Sequence, residues 1–407
     1  MRKLILISLL FAILYSCKKE EGCTDPVATN FNSDAEIDDG SCNYPAEGCT
    51  DSTASNYNPY AILSTNTCEY IGCTDSTADN YNIYAIYDDG SCEFSTTPYI
   101  IETPFGFPNM IIPDNNPTTI EGVLLGEKLF HDKILSGDES QSCSSCHQKE
   151  LGFSDGNRFS AGIDGIIGSR NASTLTNSGW NTSFNWDGSV SSLEEQAFEP
   201  VVNPIEMHNT WANVETKLNA NGEYLQLFKE AFNINYIDSN HVVMAIAQFE
   251  RTLVSANSKF DRYIEGNEQL SASELSGYAI FNSEKGDCFH CHGTQLFMDN
   301  DFHNNGLDHE PFLDIGLASI TNNPADNGKF KTPTLRNIEH TAPYMHDGRF
   351  STLEEVVAHY NSGGIYSSTI DPNMKKVGIG LQLTEQEKAD LIAYLKTLTD
   401  SDFLEKK

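Results

Sequence analysis

Positive charge is scarce in this 407-residue sequence: 25 Lys and Arg stand against 58 Asp and Glu, for a formal net charge of −33. So acidic a chain is not expected to bind nucleic acid or anionic membrane surfaces. The charge serves solubility, or alternatively steers a basic partner protein toward the chain. Long apolar runs are lacking as well. Beyond the N-terminus no stretch approaches the roughly 18 apolar residues of a membrane-spanning helix. The N-terminal run, Leu4 to Leu14, is too short to span; it follows Arg2 and Lys3 and leads to Leu-Tyr-Ser-Cys. Residues 1–17 therefore read as a signal peptide with a lipobox, in which Cys17 becomes the lipidated first residue of the mature protein. The expected location is the cell envelope, lipid-anchored and either periplasmic or at the outer membrane and cell surface. The charged KKEE after Cys17 suits a surface-export tag.

Spare cysteines are lacking too. Residues 18–96 hold three acidic repeats that open GCTDPVATNFN, GCTDSTASNYN and GCTDSTADNYN and close on a second cysteine. Units of about 25 residues bury too little core to fold unaided, so a disulfide within each repeat is expected in an oxidising compartment. The pairs would be Cys23–Cys42, Cys49–Cys68 and Cys73–Cys92, with pairing between repeats as the alternative. Two closures read DDGSC, and with Asp34 and Asp79 they offer oxygen ligands for further calcium. The alternative is a stapled acidic spacer without metal.

The remaining four cysteines lie in two pentads, CSSCH at 143–147 and CFHCH at 288–292. Cys-x-x-Cys serves redox dithiols, zinc clasps and thioether attachment of c-type haem. A histidine directly after the second cysteine is needed only for the last, where two thioethers fix the porphyrin edge and the imidazole meets the iron. Cys143 and Cys146 with His147, and Cys288 and Cys291 with His292, thus predict two covalent haem c groups. The periodicity elsewhere is helical. His241–Val254 has helical apolar spacing, and TEQEKADLIAYLKTL opens on a capping box of Thr384 and Glu387. The expected fold is mainly α, with two cytochrome c-type haem domains, residues 97–265 and 266–407, preceded by the small disulfide-stapled repeat region.

Several ordered stretches then carry a resemblance: LGEKLFHDKILSGDESQSCSSCHQKELGFSDG, RNASTLTN, WDGSVSSLEEQA, FERTLVSANSKFDRY, FKTPTLRN and APYMHDGRFSTLEEVVAHYNSGG. From about residue 105 to 400 the chain resembles the di-haem bacterial cytochrome c peroxidases and their MauG-type relatives. The resemblance does not extend to the repeats, which look like an accessory module. It implies a peroxidatic haem in the first domain and an electron-transfer haem in the second, with hydrogen peroxide and a small redox protein such as a cytochrome c as partners. A homodimer is the oligomer it allows.

By the same resemblance Glu206, in NPIEMH, matches the glutamate over the open face of the first haem, where a group must move a proton between peroxide oxygens. Gln196 matches a polar partner in that pocket, or is a helix-surface residue. Trp186 matches the aromatic between the haems, a role compatible with packing. Asn171, Thr341 and Pro343 match the oxygen donors of a calcium ion between the haem domains.

Two departures stand out. Many such peroxidases carry a histidine in the glycine-rich loop after the first pentad, where it blocks the first iron. Here the loop reads SAGIDGIIGSRN and the matching position is Ile163, which cannot ligate iron, as in the MauG-like branch. Opposite the second haem, where methionine is usual, the matching residue is Tyr360. A capping box of Ser351 and Glu354 would start a helix on which Val356, Val357 and Tyr360 share a face. Tyr360 is then an anionic iron ligand or a packing residue, and Met374 is the rival ligand. Three functions compete: a peroxidase fed by a small redox protein, a MauG-like oxidase of a protein side chain, and a non-enzymatic electron-transfer cytochrome.

Overall fold

The computed structural model describes residues 19–44 and 46–405. Cys17 lies outside the described residues. The chain divides into two compact units, Met1–Glu93 and Phe94–Lys407.

In the first unit each repeat is a loop stapled at both ends. The disulfides are Cys23–Cys42, Cys49–Cys68 and Cys73–Cys92, with Cα atoms 4.7, 4.8 and 4.6 Å apart. Beside each staple two short strands pair in parallel: Glu21–Gly22 with Ile37–Asp38, Ala46–Gly48 with Ala61–Ser64, and Tyr70–Ile71 with Ala85–Tyr87. The asparagine of each opening motif explains its presence. Asn30, Asn56 and Asn80 each donate to a backbone carbonyl and accept a backbone N–H near the closing cysteine. The DDGSC carboxylates are likewise engaged locally, Asp38 and Asp39 accepting from Gly40 and Ser41. Among the described residues no group of three acidic, His or Cys ligand atoms converges within the repeats.

The second unit is helical. In chain order its helices are α1 Ile120–His131, α2 Cys143–Cys146, α3 Leu193–Val202, α4 Trp211–Asn219, α5 Gly222–Phe232, α6 Ser239–Arg251, α7 Lys259–Ile264, α8 Ala272–Phe281, α9 Phe289–His292, α10 Ala318–Thr321, α11 Leu353–Ser362, α12 Glu385–Lys396 and α13 Ser401–Glu405. Long loops join them, and among the described residues no helix is long and apolar enough to cross a membrane. Helix α6 starts earlier than its apolar spacing predicts, because the Asp238 side chain caps it by accepting from His241 N–H, and it ends at Arg251 rather than Val254. The cap of α11 is also shifted by one residue. Thr352 and Glu355, not Ser351 and Glu354, form the reciprocal box, and Glu355 additionally holds the Ser351 N–H. The box of Thr384 and Glu387 on α12 is as expected.

Two helix pairs set the scaffold, α1 against α6 and α8 against α12. Each depends on a glycine at the crossing. A Cβ on Gly126 would lie 2.0 Å from the Ala245 carbonyl oxygen, and one on Gly277 would lie 2.0 Å from that of Asp390. Backbones this close leave no room for any side chain. Around the first pair, Leu125, Leu129, Val214, Phe228 and Ile246 form one core; around the second, Phe281, Tyr394, Leu395 and Leu398 form another. Each core stands beside one pentad.

Candidate haem-binding and catalytic site

Between these cores lies a cavity of about 1130 Å³. It is larger than the roughly 300–1,000 Å³ of a single small-molecule site. Its walls include the four pentad cysteines and the histidine that closes each pentad, Cys143, Cys146, His147, Cys288, Cys291 and His292. The two histidines are prepared in the same way. Nδ1 of His147 lies 2.9 Å from the Phe153 carbonyl oxygen, and Nδ1 of His292 lies 2.7 Å from that of Phe297. With Nδ1–H donating, the Nε2 lone pair is left for a metal. Burial lowers the pKa of both imidazoles, which favours that neutral form. Paired half-buried thiols beside each ring supply the thioether positions. These residues fit two haem c groups.

Glu206, Gln196 and Trp186 are brought to the same cavity. Asn203 Nδ2 donates to Glu206 Oε1 at 2.8 Å. Glu206 is solvent-accessible on the cavity side, yet enough protein surrounds it for desolvation to raise its carboxyl above the ordinary range. The Cys146 thiol is pushed up chiefly by burial, then by the charges of Asp155 and Glu206. Half-buried Gln196 also lines the wall, while the Trp186 indole donates to the Asn171 carbonyl at 2.8 Å. Asn171, Thr341 and Pro343 share the wall as well. No carboxylate is among them, and Thr341 Oγ1 donates to Ile338 O at 3.4 Å.

Ile163 is placed differently from the others. It does not line the cavity, where Ala161 and Gly162 form the wall instead. Its N–H donates to the Glu206 carbonyl at 2.9 Å, and Asp164 in the same loop pairs with His208 at 2.5 Å. The loop is thereby tied to the turn that carries Glu206.

On the far side Tyr360 and Met374 both line the cavity. The Tyr360 hydroxyl accepts from Asn305 Nδ2 at 3.1 Å. Burial pushes its pKa up to about 12, and the sulfurs of Cys291 and Cys288 add to the shift, so the phenol faces the second pentad.

Sequence reading missed other residues here. Pro200 on α3 and Tyr360 on α11 each stand seven residues after the first residue of their helix, at corresponding places in the two halves. His303 is clamped between Asp299 at 2.8 Å and Asp371 at 2.6 Å, which raise its pKa to about 12. Lys331 is 8 % exposed, and burial pushes its ammonium down to about 8. The signal for the first was available in the parallel stretches WDGSVSSLEEQA and HDGRFSTLEEVVAH. The others have no local signature.

A family model described as di-haem cytochrome c peroxidase matches residues 120–269, and one described as cytochrome c matches residues 275–399. Cytochrome-c peroxidase IdrP1 of Pseudomonas sp. (strain SCT) is 37% identical over 327 residues, covering 72% of this chain and 85% of that one. Methylamine utilization protein MauG of Methylorubrum extorquens is 39% identical over 288 residues, covering 70% and 80%. Among solved structures, a MauG-like protein associated with microbial copper homeostasis is similar with a TM-score of 0.72 and 36% identity, covering 76% of this chain and 97% of that one. The matches span both pentads and most of the length of these relatives, so the chain belongs to the di-haem cytochrome c peroxidase and MauG family and is, like its peroxidase relatives, an oxidoreductase.

Proposed function

We propose that this chain reduces hydrogen peroxide, H2O2 + 2 H⁺ + 2 e⁻ → 2 H2O, with electrons from a small redox protein such as a cytochrome c. The observation that carries the reading is Glu206, a cavity-facing carboxyl with raised proton affinity on the wall that also holds the first pentad. When bound, the two haem groups supply an iron that meets peroxide and a second that passes electrons to it. Glu206 takes the proton from one peroxide oxygen and returns it to the other as the O–O bond breaks. Asn203 fixes the orientation of that carboxyl. Gln196 orients peroxide by hydrogen bonding, and Trp186 provides an aromatic bridge toward the second pentad. Calcium held by Asn171, Thr341 and Pro343 would fix the wall between the halves. The test is Glu206→Gln, which should keep both haems while lowering peroxide turnover about 10²-fold. An undiminished rate removes Glu206 from the reaction.

A second reading, oxidation of a side chain on a protein substrate, is favoured by Tyr360 in place of methionine opposite the second pentad. Turnover with small redox proteins separates the two readings from modification of a co-purifying protein.

We also propose that Cys17 carries lipid and anchors the chain in the cell envelope. Labelled fatty acid should enter the wild type and not Cys17→Ala; equal labelling contradicts the anchor.

A further inference from the structure

Glu250 is a buried acid that the proposed reaction does not use. It stands in the last turn of α6, 3 % exposed, and lines the cavity beside Ile246 and Cys143. Among the described residues its Oε2 has no hydrogen-bond partner, and neither does Nη1 of the adjacent Arg251. Arg251 is engaged elsewhere, its Nη2 lying 2.7 Å from Glu194 Oε1 on α3. After burial, Glu250 is the largest influence raising the Cys143 thiol, so the carboxyl lies close to the first pentad. A helix C-terminus repels negative charge, and at 3 % exposure burial penalises a carboxylate here.

We propose that Glu250 is a redox-linked proton site of the first haem centre: it binds one proton from solvent when one electron from an external donor reduces that centre, and releases it on re-oxidation. The inference rests on the two-haem reading. At pH values between the two affinities the electron draws in part of a proton, which offsets part of the added charge. Reduction removes one positive charge near the carboxyl and tightens its hold on the proton. For a unit charge roughly 10 Å away at an effective dielectric of about 20, the change in proton affinity is about tenfold. The charged groups facing Glu250 are Arg251 on its own helix and Glu194 on α3, with the Cys143 sulfur of the pentad on the same cavity wall; Ser178 touches only its backbone carbonyl. Burial already raises its pKa to about 8, with Glu194 adding to the shift and Arg251 opposing it, which puts proton exchange within reach of ordinary conditions.

The experiment is a spectroelectrochemical titration of the full chain with both haems attached, repeated at several pH values on either side of about 8. In the wild type one of the two potentials should fall as pH rises, and in Glu250→Gln that potential should lose its pH dependence while the other is unchanged. An equal slope in both proteins overturns the proposal. A second measurement needs no variant. Redox-difference infrared spectra of the wild type recorded at or above about pH 8 should gain the C=O stretch of a protonated carboxylic acid on reduction, shifted in D2O; its absence there overturns the proposal even where Glu250→Gln fails to fold. A denatured chain that keeps fewer than two haems would overturn the two-haem reading, whereas two haems with no such slope or band would overturn the role of Glu250 alone.

Discussion

The imidazole of His147 is bonded through Nδ1 to the carbonyl oxygen of Phe153, and Phe153 holds that carbonyl in place from a left-handed backbone conformation, φ 60. The second half repeats the device with His292 and Phe297, φ 52. A non-glycine residue in this region costs roughly 1–3 kcal/mol and persists only where surrounding structure enforces it. Finding it twice at the same task shows that each histidine's Nδ1 meets a carbonyl whose position the backbone enforces. The denatured chain should accordingly carry two covalent haems by mass spectrometry. Replacing Cys288 and Cys291 with Ser should leave one, and a haem that extracts from the denatured wild type contradicts the assignment.

The pair Asp261 and Arg336 predicts a stability effect. Arg336 has no exposed side-chain surface; two of its nitrogens lie 2.8 Å from the two Asp261 oxygens, and it also donates to the Gln295 carbonyl. Asp261→Asn should cost about 3–5 kcal/mol in a denaturant titration, because the guanidinium would remain buried without its counter-charge. Although burial alone would raise the Asp261 carboxyl, Arg336 outweighs it and holds the pKa below the ordinary value. A depressed carboxylate contributes stability above its unfolded pKa and loses it as pH falls through the folded one. The difference between wild type and Asp261→Asn should therefore shrink in acid below the usual carboxylate range.

That pair also shows what was legible in the sequence. FKTPTLRN and SKFDRY served as family signatures, yet Arg336 and Asp261 within them hold the scaffold together and do not line the cavity. Disulfide pairing, the pentads and the helical class followed from spacing and residue type, since those constraints are local. Glu250, Lys331 and His303 were not legible. Each becomes distinctive only when burial and partners from distant segments are known, as with the two aspartates around His303. The shifted cap at Thr352 shows the finer limit: two overlapping Ser/Thr-x-x-Glu frames occur in STLEE, and backbone geometry selects one.

The helix crossings give a second stability prediction. Gly126→Ala and Gly277→Ala each place a methyl about 2.0 Å from a backbone oxygen of the facing helix. Neither oxygen belongs to a flexible side chain, so the helices must separate. Each substitution should cost at least about 1–3 kcal/mol, the scale of overpacking. Gly222→Ala, where nothing lies within 4 Å of the added carbon, is the control and should be near neutral or stabilising.

The two halves differ where Pro200 and Tyr360 occupy corresponding helix positions. Proline offers no ligating side chain, whereas Tyr360 presents a hydroxyl toward the second pentad with Asn305 bonded to it. Ile163 adds nothing to close the first centre, because its side chain does not line the cavity and its N–H is committed to the Glu206 carbonyl. Paramagnetic resonance of the resting oxidised protein should then show one high-spin and one low-spin ferric haem, and Tyr360→Phe should alter the low-spin signal alone. Ile163→His separates residue type from loop position. If the loop stays tied to Glu206 and to His208, a histidine at 163 cannot reach the first centre, so the high-spin signal and the direct reaction of the oxidised protein with peroxide should both survive. Conversion to two low-spin signals would show that the loop swings inward once it carries a ligand, and that the bonds from Ile163 and Asp164 do not hold it.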